Sequence, residues 1–353
     1  MQALLASGEI GLDALLFTDL TDIRWLTGFT GSNGWVVVRS DVTTLGTDTR
    51  YGDRAEAETQ GSGVEIVALQ NRAALQDSMI NAAGSGEVGL DGRSVSQTVW
   101  SQLAGELELA SVDSLVATAR ETKDDAEIER IEAAAEAADA ALAEVEPMLF
   151  STIDDPATEA DIRNELEYRM RRHGADDRSY NTIVASGPEH SARPHHEVGD
   201  RTIVAGDTVV IDVGALVDGY HSDMTRSYVI GEPTAQQREI YDLVQVSQTA
   251  GIKALRNGVT AHAVDRACRD VFTAAGYGDW YLHGTGHGVG LQIHESPFHS
   301  QVSNEVIQTG NVVTIEPGLY RGGFGGIRIE DLVVVTGDGH RVLTHHPKQP
   351  FAS

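Results

Sequence analysis

The chain has 353 residues, 41 % apolar and 22 % charged, enough for two soluble domains of ordinary composition. Its 26 basic and 53 acidic residues leave a net charge of −27, which argues strongly against nucleic acid or an anionic membrane as partner. No apolar run approaches the ~18 residues of a membrane span. The first basic side chain is Arg24, so the basic start of a secretion signal is missing, and the lone cysteine, Cys268, rules out an intramolecular disulfide or a thiolate metal cluster. A reducing cytoplasm is the expected compartment.

Residues 1–120 read as alternating strands and helices. Apolar runs at Ala14 to Phe17, Trp35 to Val38, Glu65 to Leu69 and Val88 to Leu90 predict strands. Helices are expected around Arg50 to Glu58 and Ala73 to Asn81. This part is an α/β domain without an ionisable cluster that marks a site.

The texture changes at residue 121. Ile128, Ile131, Ala135, Ala138, Leu142 and Val145 recur at spacings of three and four, which predicts an amphipathic helix over 121–146. Thr122 with Asp125 suits its capped start and Pro147 its end. The domains are therefore placed at 1–120 and 121–353. Further helices are expected from Thr158 to His173, over 234–256 and over 260–275, with Gly174, Gly258 and Gly276 as stops. Strand-like segments lie at 207–213, 225–230, 311–316 and 327–335. Their alternation with helices at short spacing predicts an α+β fold rather than a doubly wound sheet.

An internal repeat delivers acids. Gly206-Asp207-Thr208-Val209-Val210-Ile211-Asp212-Val213-Gly214 runs like Gly310-Asn311-Val312-Val313-Thr314-Ile315-Glu316-Pro317-Gly318. A second acid follows each copy, Asp223 eleven residues after Asp212 and Glu330 fourteen after Glu316. Acids at strand ends often face water. Asp212 and Glu316, however, each end an apolar run, where a bare carboxylate would be desolvated. In Ile327-Arg328-Ile329-Glu330, alternation puts Arg328 and Glu330 on one face. Four converging carboxylates would repel, two divalent cations would cancel the charge, and oxygen-rich donors suit manganese, cobalt or zinc.

The 13 histidines cluster. His283-Gly284-Thr285-Gly286-His287-Gly288-Val289-Gly290 is the densest stretch, followed by His294-Glu295. Its glycines either bring backbone close to something or only allow turns. It is neither a dinucleotide fingerprint nor an H-E-x-x-H motif. Arg193-Pro194-His195-His196 alone reads as a surface loop, and His173, His190, His340, His345 and His346 as solvated loop residues. Gly-x-Ser-x-Gly is absent, and Cys268, beside Val264 and Val271 on one helix face, reads as core.

In order, Asp212, Asp223, His287, Glu316 and Glu330 resemble the five-ligand dinuclear site of the M24 metallopeptidases, the pita-bread family. The matching stretches are Ile211 to Ala215, Ser222 to Arg226, His283 to Gly290, Thr314 to Gly318 and Arg328 to Asp331. Leu26-Thr27-Gly28-Phe29-Thr30-Gly31-Ser32 is similar to the creatinase-type N-terminal domain of the same proteins. More narrowly, the chain resembles Xaa-Pro aminopeptidases and Xaa-Pro dipeptidases (prolidases).

That resemblance implies a smaller creatinase-like domain followed by a pita-bread catalytic domain. It implies hydrolysis of the Xaa-Pro bond at the N-terminus of peptides by a hydroxide shared between two divalent cations, manganese foremost. Asp223 and Glu330 would bridge the cations, Asp212 would hold one, and His287 with Glu316 the other. Glu316 would also act as general base. His195 and His294 match the histidines that hold the substrate and its tetrahedral intermediate, and His283 a residue near the proline ring. Arg328 would orient Glu330 or Asp212, and Tyr180 matches a tyrosine behind the ligands. A homodimer is expected, its N-terminal domain partly shaping the partner's site.

Other readings follow from the same residues. A non-catalytic pita-bread peptide-binding module, or a metal-free creatinase-type amidinohydrolase, would not need the five ligands, all present here. A methionine aminopeptidase fits the N-terminal domain poorly. Dipeptidases of the family often carry an arginine just after His-Glu-x-Pro, to grip the substrate's free carboxylate. Here His294-Glu295-Ser296-Pro297 is followed by Phe298 and His299, which favours longer Xaa-Pro peptides over a strict dipeptidase.

Overall fold

The computed structural model describes residues 1–351, and its internal contacts separate one unit ending at Arg120 from another beginning at Glu121. The first unit is built on a six-stranded mixed sheet. In spatial order its strands are Glu65–Ala68, Thr43–Thr47, Trp35–Arg39, Ala14–Phe17, Glu87–Leu90 and Glu108–Ser111. Ala14–Phe17 pairs antiparallel with Trp35–Arg39 and parallel with Glu87–Leu90. All four of its residues are buried, because alternate side chains enter two separate apolar clusters, Leu15 and Phe17 in one, Ala14 and Leu16 in the other. The strands Thr43–Thr47 and Glu108–Ser111 were not legible as apolar runs. They are threonine-rich or half-exposed at the sheet's margin.

The second unit is α+β. Its long helix runs Asp125–Phe150, starting and ending later than the sequence suggests. The capping box is Asp124 with Glu127, not Thr122 with Asp125. Lys123 N–H is committed to Gly310 O, so the chain stays extended two residues further. Pro147 sits inside the last turn rather than ending it. Its missing N–H costs one bond, while Leu149 is buried in the core and Phe150 stacks edge-on against Tyr228 at 5.7 Å. Three further long helices are Glu159–Arg172, Ala235–Ala254 and Ala261–Ala274, each with a threonine at its N-cap.

Two hairpins carry the repeat. Thr208–Val213 pairs antiparallel with Met224–Val229, and Val312–Ile315 with Asp331–Thr336. The Asp125–Phe150 and Glu159–Arg172 helices cover the first hairpin, burying Leu142, Val145, Ile162 and Leu166 with Val209, Ile211 and Val213. The Ala261–Ala274 helix covers the second, where Val264 and Cys268 meet Val313, Ile315 and Val333. Cys268 is thus a core residue, its thiol pushed up to about 12 by burial.

The expected strand 327–335 is broken. Gly325–Arg328 pairs with Gly318–Arg321, whereas Asp331–Thr336 belongs to the other sheet. Between them Ile329 N–H reaches Pro317 O and Glu330 N–H reaches Thr225 O in the first hairpin. The second of these bonds splices the two halves at the point where the acids meet.

Candidate metal centre

In each hairpin one acid ends the first strand and the second precedes the returning strand. Asp212 is paired beside Thr225, with Asp223 just before Met224–Val229. Glu316 follows Val312–Ile315, and Glu330 precedes Asp331–Thr336. Antiparallel pairing makes those two ends neighbours. Carboxylate oxygens of Asp212, Asp223 and Glu330 lie within 4.8 Å of one another. A hydroxyl two residues along each strand steadies an acid: Thr225 Oγ1 donates to Glu330 at 2.6 Å and Thr314 Oγ1 to Glu316 at 3.2 Å.

His287 closes the set. Its Nε2 stands 3.6 Å from Asp223 Oδ2 and 3.5 Å from Glu316 Oε1. Its Nδ1 is 3.0 Å from Gly288 O. A carbonyl only accepts, so Nδ1 carries the hydrogen and Nε2 turns its lone pair to the acids, as a metal ligand requires. Burial pushes this imidazole down to about 4, keeping it neutral. The glycines beside it are needed for close approach. A Cβ on Gly286 would lie 2.1 Å from Thr314 O, and one on Gly288 2.3 Å from Ser296 O.

A phenol and a guanidinium frame the acids. Tyr180 Oη donates to Asp212 and to Asp223, the latter at 2.5 Å. Arg328 donates to Asp212 Oδ2 at 2.6 Å, to Thr225 Oγ1 at 3.0 Å and to Tyr320 Oη at 2.8 Å. Tyr320 Oη is also 3.0 Å from His283 Nε2, so the pocket's far histidine is wired to the acids through Tyr320 and Arg328.

One cavity of about 720 Å³ opens over the acids. Asp212, Asp223, His287, Glu316, Glu330, Tyr180, Arg328, His195, His283 and His294 all line it, together with Phe298 and Ile293. His195 and His294 are exposed on its wall, and the His294 ring lies edge-on to His287 at 4.4 Å.

The electrostatics fit divalent cations. Burial and mutual repulsion push Asp223 and Glu330 well above the usual carboxylate range, and burial pushes Glu316 up to about 7. Arg328 alone among the lining residues offsets four carboxylates. A donor set of carboxylate oxygens plus one neutral imidazole, with no thiolate, suits borderline or hard divalent ions.

Residues 129–337 match metallopeptidase family M24, and residues 3–122 match the creatinase/prolidase N-terminal domain. The chain belongs to metallopeptidase family M24. This M24 chain is 38 % identical over 350 residues to an uncharacterized peptidase of Bacillus subtilis, covering 97 % of this chain and 96 % of that one. An Xaa-Pro dipeptidase from Bacillus anthracis superposes with a TM-score of 0.92 at 35 % identity, covering 99 % of this chain and 98 % of the other. An X-Pro aminopeptidase from Thermotoga maritima gives 0.87 at 32 %, covering 97 % of each. Membership of M24 implies divalent metal ions and a hydrolase, and the pita-bread fold is shared with these neighbours.

Some functional-looking residues of this M24 chain escaped the sequence. Tyr320 reaches Asp212 only through Arg328, and Thr225 bonds Glu330 about a hundred residues away, although Thr225 and Thr314 sit two positions from an acid, a usable signal. Three histidines expected in solvated loops are not there. His346 is buried against Glu146 and Tyr228. His190 is half-buried on Glu159, and His196, in the presumed surface loop, is buried on the same carboxylate. Each was missed because its acidic partner lies far off in sequence. His340 and His345 are exposed, and His173 caps its helix on Glu144.

Proposed function

We propose that the chain hydrolyses the Xaa-Pro bond at the N-terminus of peptides, using two divalent cations, manganese foremost, held by Asp212, Asp223, His287, Glu316 and Glu330. The observation that carries this reading is the convergence of three carboxylates within 4.8 Å, beside His287 and Glu316, on one cavity of an M24 chain. Bound there, the cations would polarise the scissile carbonyl and bring the pKa of a water down toward neutrality.

The chain's own groups do the rest. Glu316, steadied by Thr314, takes the proton of the attacking water and passes it toward the proline nitrogen, which must be protonated to leave. His195 and His294 donate to the carbonyl oxygen as it gains negative charge. Arg328 and Tyr180 fix Asp212 by hydrogen bonds. His283, held by Tyr320 and Gly284 O, offers a flat neutral face for the proline ring. The substrate amide has no N–H and its ring obstructs strand-like binding, so a side-on pocket suits it.

In this reading 1–120 is the creatinase-like domain, 121–353 is the catalytic domain, and the enzyme is a cytoplasmic homodimer. A strict dipeptidase is the second reading, favoured by the name of the Bacillus anthracis neighbour. Phe298 favours longer peptides, since it offers the cavity no cation for a free carboxylate. The test is a metal-reconstituted assay of Xaa-Pro against Xaa-Pro-Yaa with product analysis. Turnover should need Mn²⁺ or Co²⁺ and vanish on chelation. Full activity after exhaustive chelation, with no metal detected, refutes the reading.

A further inference from the structure

A second buried cluster lies behind the His195 loop. Glu159, the first residue of its helix, is completely buried. Its Oε1 accepts from Ser186 N–H at 2.7 Å and Ser186 Oγ at 2.6 Å. His190 Nδ1 stands 3.0 Å from Oε1, and His196 Nε2 is 3.1 Å from Oε2. The two imidazoles are stacked at 4.1 Å. The backbone binds the loop's end to the same helix start, through Ala160 N–H to Gly199 O and Glu159 N–H to Arg201 O. Its beginning is held by Ser191, bonded to Gly187 O and Thr208.

Between those ends, Arg328 holds the Pro194 carbonyl and the His196 ring is the buried side chain. His196 is seated on Glu159, while the adjacent His195 is exposed and lines the cavity, so anchoring the one ring fixes the backbone that carries the other.

We propose that Glu159 and His196 are a positioning pair that holds His195 at the substrate. The inference rests on the proposed role of His195. The three groups also have donor atoms within 4.8 Å, a spacing that suits a metal. Both carboxylate oxygens already accept from four donors on Ser186, His190 and His196, and the Arg201 guanidinium lies 2.6 Å from Ser186 Oγ. A closed hydrogen-bond network beside a fixed cation accounts for the cluster without an ion.

The test is a double-mutant cycle on metal-loaded enzyme. Glu159→Gln should lower kcat/KM on an Xaa-Pro-Yaa peptide on the order of 10- to 100-fold, the cost of a misplaced group. In a His195→Ala background it should cost nothing further. His196→Asn, which leaves the Glu159–Ser186 bonds in place, should repeat both results. Hydrogen exchange gives a readout independent of activity: amides 192–198 should exchange faster in Glu159→Gln while the Glu159–Arg172 helix keeps its protection. Equal losses in both backgrounds, or unchanged exchange of the loop, overturn the proposal. So does a metal ion bound per chain beyond the main centre and lost in Glu159→Gln. Full activity of His195→Ala would instead refute the role of His195, and the exchange arm would still decide the anchor.

Discussion

Arg328 places a guanidinium nitrogen 2.6 Å from Asp212 Oδ2 while donating to Tyr320 and to the Pro194 carbonyl. One side chain thereby ties a candidate ligand, the His283 wire and the His195 loop together. Lysine keeps the charge but lacks the planar fork. Arg328→Lys should lower Mn²⁺ affinity or turnover by ~10–100-fold. Calorimetric titration and steady-state kinetics read it, and wild-type values in both would show the fork to be dispensable.

Glu316 sits 3.5 Å from His287 Nε2 at the cavity wall. In the proposed role of proton acceptor it would act in the transition state, so Glu316→Ala should lower kcat by at least ~10²-fold. A higher KM with kcat intact would make it a binding residue only.

Phe298 is 44 % exposed and lines the same cavity. Phe298→Arg supplies a cation for a free carboxylate, a bond of about 1.5–3 kcal/mol. The kcat/KM ratio of Xaa-Pro over Xaa-Pro-Yaa should rise about tenfold or more by that energy. No change in the ratio counts against assigning chain-length preference to this position.

Lys123 is buried with its ammonium 2.5 Å from Glu295 Oε1, one residue from His294. Lys123→Met breaks this buried ion pair and should cost about 3–5 kcal/mol in urea unfolding. Adding Glu295→Gln should restore part of that loss. A stability change under 1 kcal/mol for Lys123→Met (about the worth of an exposed pair) would show the pair to be unimportant.

His299 is fully buried, and neither ring nitrogen has a hydrogen-bond partner among the described residues. Burial pushes its pKa from 6.5 down to about 4. Between those values the unfolded chain holds the extra proton, so stability is full above about 6.5 and falls as pH drops toward 4. His299→Phe should flatten that acid limb. Urea midpoints of the metal-free protein at pH 7 and pH 5 measure it, and an equal drop in both proteins refutes the assignment.

The α+β pattern was legible because periodicity is local. The spacing of Ile131, Ala135, Ala138 and Leu142 needed only its own helix to be read. The acids were legible as a repeat because both hairpins use the same glycine–strand–acid order. Helix ends were read less well. Lys123 and Pro147 answer to Gly310 and to the core rather than to their neighbours in sequence.

By itself, then, the sequence determined the periodic elements, the paired acidic strands and the glycines around His287, since each depends on residues within a few positions of one another. Only the tertiary structure decided that Thr225 touches Arg328 and Glu330, that Glu159 seats His196, and that residues 327–335 split between two sheets. Those outcomes depend on hydrogen bonds between groups far apart in the chain, and local spacing carries no record of which distant donor will meet which acceptor.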